Sequence, residues 1–283
     1  MEKRRTRTVT AINGRIVTRQ KATISVFDNA LLYAEGLFET FLAVEDGIVF
    51  RDDHLRRLYQ GARVIGLRIP VNRSTLSRWM AEAVRAHPER IKKVRLTVTG
   101  GESARWVGTQ GEPQVIVAVA PHSLPEKPFS LLVSEFRVDQ KSVFRRIKTI
   151  SYGIHAAALQ KARYRHCDDA LLLNENNHIA EVTSANIFWV RRGRIYTPSM
   201  ASGCLDGVTR RIVFREAKEL GLSVVEKDET LSRMLTADEV FVASSLKPVI
   251  GVSRILDGDR VHRIAEGPIT RRLLTHFRNL VGV

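Results

Sequence analysis

Three of the chain's nine prolines fall within eight residues, Pro121-His122-Ser123-Leu124-Pro125-Glu126-Lys127-Pro128. Proline fixes φ and donates no backbone hydrogen bond, so this stretch is expected to interrupt any sheet or helix. It separates two strand-rich halves of a 283-residue chain, which is long enough for two cores. The reading is a small N-terminal domain over 1–120, a linker over 121–128 and a larger C-terminal domain over 129–283.

The first half reads as hairpins followed by helices. Asn13-Gly14 is a two-residue turn signal between Val9–Ile12 and Arg15–Val17, and a second hairpin spans Leu37 to Phe50. Leu55, Leu58, Ala62 and Ile65 then fall at helical spacing, with Asp52 or Asp53 as the expected cap. Leu76, Trp79, Met80, Ala83 and Val84 mark another amphipathic helix, and Val94–Thr99 and Gln114–Ala120 read as strands. Beyond the linker, strands at Leu131–Val133, Ala170–Leu173, Ile187–Val190 and Val240–Ala243 alternate with helices near Ile154–Tyr164, Val208–Leu220 and Thr270–Leu280. The fold class is α+β, a mixed α/β arrangement rather than a simple doubly wound sheet.

Charge and cysteines narrow the function classes. A net charge of +15 invites a nucleic-acid partner, since a basic stripe binds phosphate backbones by releasing counterions. Here the basic clusters (Lys3 to Arg7, Arg145-Arg146, Arg191-Arg192, Arg271-Arg272) are dispersed and lack interleaved aromatics, so solvated surface charge is the favoured reading. No stretch reaches the roughly 18 apolar residues of a membrane helix and the Met1–Arg7 start lacks an apolar signal core, so the expectation is a cytoplasmic protein with no membrane partner. Cys167 and Cys204 lie far apart without a ligand cluster, which suggests free thiols and neither disulfide nor metal.

Five segments carry chemistry. Lys148 lies in Arg145-Arg146-Ile147-Lys148-Thr149-Ile150-Ser151-Tyr152-Gly153, read as the end of a short strand before an alanine-rich helix. Composition alone makes it one more solvated cation. Glu181 opens Glu181-Val182-Thr183-Ser184-Ala185-Asn186-Ile187-Phe188, and Gly207-Val208-Thr209-Arg210 is by itself a plausible helix start. Ser244-Ser245 follows a strand, and Arg57 stands in His54-Leu55-Arg56-Arg57-Leu58. Arg56 and Arg57 point about 100° apart on a helix, so only one faces a given cleft.

In this order, these segments resemble the class IV pyridoxal-phosphate-dependent aminotransferases, a family that includes branched-chain and D-amino-acid aminotransferases and aminodeoxychorismate lyase. The resemblance covers most of the chain. It implies that Lys148 is the Schiff-base lysine, that Glu181 meets the pyridine nitrogen, and that Arg57, Val208, Thr209, Ser244 and Ser245 surround the cofactor phosphate. A Schiff-base lysine must be transiently neutral, and Arg145 and Arg146 are the neighbouring charges expected to help if they point inward.

Substrate contacts are expected from the first half. Tyr33 and Phe38 look like the family's aromatic pocket positions, or equally like core aromatics of a hairpin. Arg105, in a glycine-led loop, stands where D-amino-acid enzymes and lyases place a carboxylate-binding arginine, with a solvated loop arginine the alternative. Val107 and Leu31 depart from the D-amino-acid pattern, and Arg95 occupies the strand position of a branched-chain arginine. Thr40 and Ser245-Leu246-Lys247-Pro248-Val249 lean towards the lyase.

The resulting expectation is a homodimeric aminotransferase moving an amino group between an amino acid and a 2-oxo acid. Its rivals are the lyase, which releases pyruvate and 4-aminobenzoate, and a non-catalytic basic nucleic-acid-binding protein.

Overall fold

The computed structural model describes residues 8–103 and 111–283. Compact packing divides the chain after Ser123, and residues 147–151 return to the first unit although they follow it by sequence.

The first unit contains β1 (Val9–Ile12), β2 (Arg15–Val17), α1 (Asn29–Tyr33), β3 (Gly36–Val44), β4 (Gly47–Ile48), α2 (Arg51–Val64), α3 (Arg73–Arg85), β5 (Ile91–Thr99) and β6 (Val115–Pro121). Its strands form one antiparallel sheet in the order β2-β1-β6-β5-β3-β4. Strand alternation decides the faces. Leu37, Phe41 and Ala43 of β3, Val94, Leu96 and Val98 of β5, and Val115, Val117 and Val119 of β6 are buried with Leu55, Leu58 and Ala62 of α2 and Leu76, Met80, Ala83 and Val84 of α3. Each such large side chain contributes roughly 1.5–3 kcal/mol on full burial.

The Asn13-Gly14 turn forms as expected, with φ of 48° and 80°. Gly14 is needed twice over, because a Cβ there would also run into the Trp79 indole of α3. Two local expectations are corrected. Helix α2 is not capped by Asp52 or Asp53: Phe50 is its N-cap, in the left-handed region with no side-chain cap, because the chain must turn out of β4 there. Both aspartates lie in the first helical turn, where they complement the dipole instead. Pro121 does not break the sheet: it ends β6 opposite Lys92, and the pairing carries on past it as the His122 amide donates to the Ile91 carbonyl at 3.0 Å.

The second unit contains β7 (Phe129–Val138), α4 (Gly153–Tyr164), β8 (Asp169–Asn174), β9 (Ile179–Val182), β10 (Asn186–Arg191), β11 (Arg194–Thr197), α5 (Val208–Glu219), β12 (Val224–Glu226), α6 (Leu231–Met234), β13 (Glu239–Ser244), β14 (Lys247–Asp257), β15 (Arg260–Arg263) and α7 (Pro268–Val281). Its sheet runs β12-β11-β10-β13-β14-β7-β8-β9, with β15 on β14, and mixes parallel pairs (β7 with β8 and β14, β11 with β12) with antiparallel ones. Strands β8, β9 and most of β10 and β13 are buried at every position, the pattern of a sheet covered on both faces. Ala158 and Ala162 of α4 pack with Leu132, Ala170, Leu172 and Ala180. The buried Glu239 carboxylate accepts from the amides of Ile269 and Thr270, capping α7 from the neighbouring strand β13.

Candidate active site

In the first unit the centre is Lys148. Its segment is not the expected strand end: residues 143–146 form a 3-10 turn, and 147–151 run along β3. The Phe38 amide donates to the Lys148 carbonyl at 2.9 Å, the Ile150 amide donates to the Gly36 carbonyl at 3.1 Å, and Thr149 bridges Leu37. Ile147 is buried against α2, where Gly61 gives it room. The lysine is thus fastened on both sides to a strand whose own register is set by nine pairs with β5.

The half-buried Lys148 places its Nζ 4.5 Å from the centroid of the Phe38 ring, and the Arg95 guanidinium lies 3.9 Å from that same centroid. Phe38, Thr40 and Arg95 share the sheet face opposite the helices, Thr40 being paired directly with Arg95. Phe38 is buried, Thr40 half-buried and Arg95 exposed, its Nε donating to Thr97 Oγ1 at 3.3 Å. Tyr33 is not a core aromatic; it ends the short helix α1 and is exposed. Arg105 lies outside the described residues.

Glu39 and His54 were missed at the sequence level. Glu39 points to the helix side of β3, where its carboxylate accepts from Arg57 Nε at 2.8 Å, Arg57 Nη2 at 2.6 Å and His54 Nδ1 at 2.7 Å. Burial would raise the Glu39 carboxyl, but the charges and hydrogen bonds of Arg57 and His54 bring it down to about 2. Burial pushes the His54 imidazole down from its usual range, with Arg57 and Lys148 acting in the same direction against Glu39. Arg57 is buried while Arg56 is exposed and pairs with Asp53, so the helix separates the two arginines as its geometry requires. The available signal was a glutamate at an apolar alternation position, between Leu37 and Phe41.

In the second unit the centre is Glu181, buried on β9. Its Oε1 accepts from Arg145 Nη2 and from His155 Nε2 at 3.2 Å, and its Oε2 accepts from the Leu205 amide at 2.9 Å. Burial raises this carboxyl, and the His155 hydrogen bond, the Arg145 and His155 charges and the Leu205 amide bring it down to about 2. Of the arginines beside Lys148 in sequence, Arg145 pairs with Glu181 and Arg146 is exposed.

The loop leading into α5 is organised by the same motif. Asn186 Nδ2 donates to the Leu205 carbonyl at 2.9 Å, and a Cβ on Gly207 would collide with the Asn186 side chain. Gly207 is the N-cap of α5 and leaves the first-turn amides of Val208 and Thr209 without a side-chain cap. Thr209 Oγ1 is buried with no hydrogen-bond partner among the described residues. Such an orphaned hydroxyl beside a helix N-terminus fits an anionic oxygen. Ser244 ends β13 and Ser245 begins the two-residue turn to β14. Lys247, next to this turn and within the segment read from sequence as leaning towards the lyase, donates to Ser184 Oγ at 2.6 Å and lies 3.7 Å from the buried Asp169 carboxylate.

Within the second unit, a buried ionised glutamate and an uncapped helix start with an orphaned hydroxyl have the chemistry that a basic ring nitrogen and a phosphate would need. The sequence profile of the amino-transferase class IV family matches residues 36–255. The chain belongs to that family, a class of pyridoxal-phosphate-dependent enzymes. It is 32% identical to a putative branched-chain-amino-acid aminotransferase of Methanocaldococcus jannaschii, covering 95% of each chain. It is 30% identical to a D-alanine aminotransferase of Bacillus licheniformis, again over 95% of each, and 30% identical to an aminodeoxychorismate lyase of Bacillus subtilis, over 86% of this chain and 85% of that one. Among solved structures, the branched-chain aminotransferase of Thermoproteus uzoniensis with norvaline matches with a TM-score of 0.89 at 28% identity, covering 96% of this chain and 94% of that one. The branched-chain amino acid aminotransferase of Thermobaculum terrenum in its pyridoxal-phosphate form matches with a TM-score of 0.85 at 26% identity, covering 96% and 93%.

Proposed function

We propose that this class IV enzyme transfers an amino group between an amino acid and a 2-oxo acid, of the branched-chain or D-amino-acid type. Lys148 is read as the tether of the cofactor and as the base whose Nζ takes the proton from the substrate Cα. Glu181 is assigned to the ring nitrogen, and Arg57, Val208, Thr209, Ser244 and Ser245 to the phosphate. When bound, pyridoxal phosphate supplies the electron sink for the carbanion left by that proton.

The observation that carries this reading is the bonding of Glu181. An ionised carboxylate offers about four acceptor positions, and three are filled, by Arg145, His155 and the Leu205 amide. One is left on Oε2 for an incoming N–H.

Tyr33, Phe38, Thr40, Arg95 and Arg105 are proposed to contact substrate, with arginine suited to carboxylates. Phe38 serves by stacking beneath Lys148 and Arg95. The active form is read as a homodimer: Ile24, Val26, Phe27, Leu31, Leu32 and Tyr33 are exposed within ten residues, more apolar surface than a lone subunit tolerates well. A cytoplasmic setting suits two buried free thiols. The lyase is the second reading, favoured by the Bacillus subtilis relative.

Incubating the holoenzyme with single L- and D-amino acids tests the assignment. Release of the matching 2-oxo acid, with the cofactor left in its amine form, is the expected result. No response to any amino acid, together with pyruvate release from aminodeoxychorismate, would replace the transferase with the lyase.

A further inference from the structure

The guanidinium of Arg145 is held through two of its nitrogens. Nη2 donates to Glu181 Oε1, Nε donates to the Gly203 carbonyl at 2.9 Å, and Nη1 lies 3.1 Å from His155 Nε2. His155 in turn stacks on Tyr152 at 4.4 Å, and the Tyr152 hydroxyl donates to the Thr183 carbonyl, one residue beyond the strand that carries Glu181. A planar fork held at the Glu181 carboxylate and at the Gly203 carbonyl stays on the carboxylate. Besides His155, Cys204 lies close to Glu181, and its thiol is pushed by burial up to about 11 and so adds no charge.

This arrangement has a consequence for any basic nitrogen brought to the open position on Glu181. A nitrogen and a carboxylate in contact share one proton. A buried carboxyl with no cation beside it favours its protonated form, which would draw the proton off the nitrogen. A permanently charged arginine in contact reverses that preference, because it stabilises the carboxylate and makes it the weaker base of the pair.

We infer that Arg145 is a positioning residue that decides where this proton resides, keeping it on the cofactor's ring nitrogen and off Glu181. The inference rests on the reading of Glu181 as the ring-nitrogen partner. It also gives the fixed contacts of Arg145 a purpose beyond packing: the strength of the electron sink depends on that nitrogen staying protonated.

The test is to reconstitute the protein with pyridoxal phosphate labelled with nitrogen-15 in the ring and to record the ring-nitrogen chemical shift at neutral pH. Wild-type protein is expected to show a protonated nitrogen. Arg145→Met is expected to move the signal towards the unprotonated position while the cofactor stays bound, and Arg145→Lys, which keeps the charge, is expected to restore it. Arg145→Gln reads the same signal if the methionine variant does not fold. A protonated nitrogen in the folded neutral variants overturns the inference. Glu181→Gln separates the two layers: if it moves the signal and the Arg145 variants do not, the inference fails and the assignment of Glu181 stands. If none of them moves it, the assignment of Glu181 falls as well.

Discussion

Glu39 in the first unit and Glu181 in the second are built from the same parts and arranged for opposite ends. Each is a buried carboxylate beside one arginine and one histidine, and each is held down at about 2. Glu39 takes Arg57 through two parallel bonds, Nε and Nη2, and is itself completely covered. Glu181 takes only one arm of Arg145, another arm going to the Gly203 carbonyl. In the first unit the carboxylate serves the arginine, fixing the direction of a cation. In the second the arginine serves the carboxylate, fixing the charge of an anion that keeps an acceptor position open. Equal pKa shifts therefore do not imply equal roles; the number of arms shared and the acceptor left over separate them.

The contrast breaks most sharply at Glu181→Gln. Loss of the carboxylate charge should lower kcat by roughly 10²–10³-fold, comparable to removing one preorganised electrostatic contact, with the protein still folded. Steady-state kinetics beside a circular dichroism spectrum checks this. Glu39→Gln should act the other way round. It leaves Arg57 buried without its counter-ion and should cost about 3–5 kcal/mol of stability, read as a fall in denaturation midpoint.

Acid should expose the same two sites. A depressed carboxyl contributes stability that is complete above its unfolded value near 4.5 and is lost as pH falls towards about 2, on the order of 3 kcal/mol for each of Glu39 and Glu181. His54 adds an earlier loss: the unfolded imidazole takes a proton below 6.5 while the buried one resists, so the unfolded state gains as pH falls. Melting temperature between pH 7 and pH 3 should thus fall in two stages, and Glu39→Gln should flatten the lower one. The smallest effect belongs to Thr209→Val, which removes the orphaned hydroxyl while keeping the shape. It should weaken cofactor affinity by about tenfold, the worth of a hydrogen bond to a charged group, with no loss of melting temperature in the cofactor-free protein.

The elements with strong periodicity were legible from sequence. The Asn13-Gly14 hairpin, α3 and the strands of the second half follow from turn chemistry and apolar spacing, and the structure shows them at those places. Two of the departures share a cause, since each depends on a partner distant in sequence. The segment around Lys148 looks like a strand end locally, but its hydrogen bonds come from Gly36 to Phe38, more than 100 residues earlier. Arg145 looks like part of a basic run beside Lys148, and only the fold brings it to Glu181, 36 residues on. Asp52 and Asp53 satisfy every local rule for a cap, yet the turn out of β4 puts Phe50 at that position. Glu39 was the readable exception, because a charge on the apolar face of a strand requires a buried partner.

The central claim is that Lys148 holds the cofactor. Borohydride reduction of the purified holoenzyme, followed by peptide mapping, tests it most directly. The expected result is a reduced pyridoxyl phosphate adduct on the peptide containing Lys148, absent from Lys148→Ala. An adduct on another lysine, or a protein that takes up no pyridoxal phosphate at all, would contradict the account.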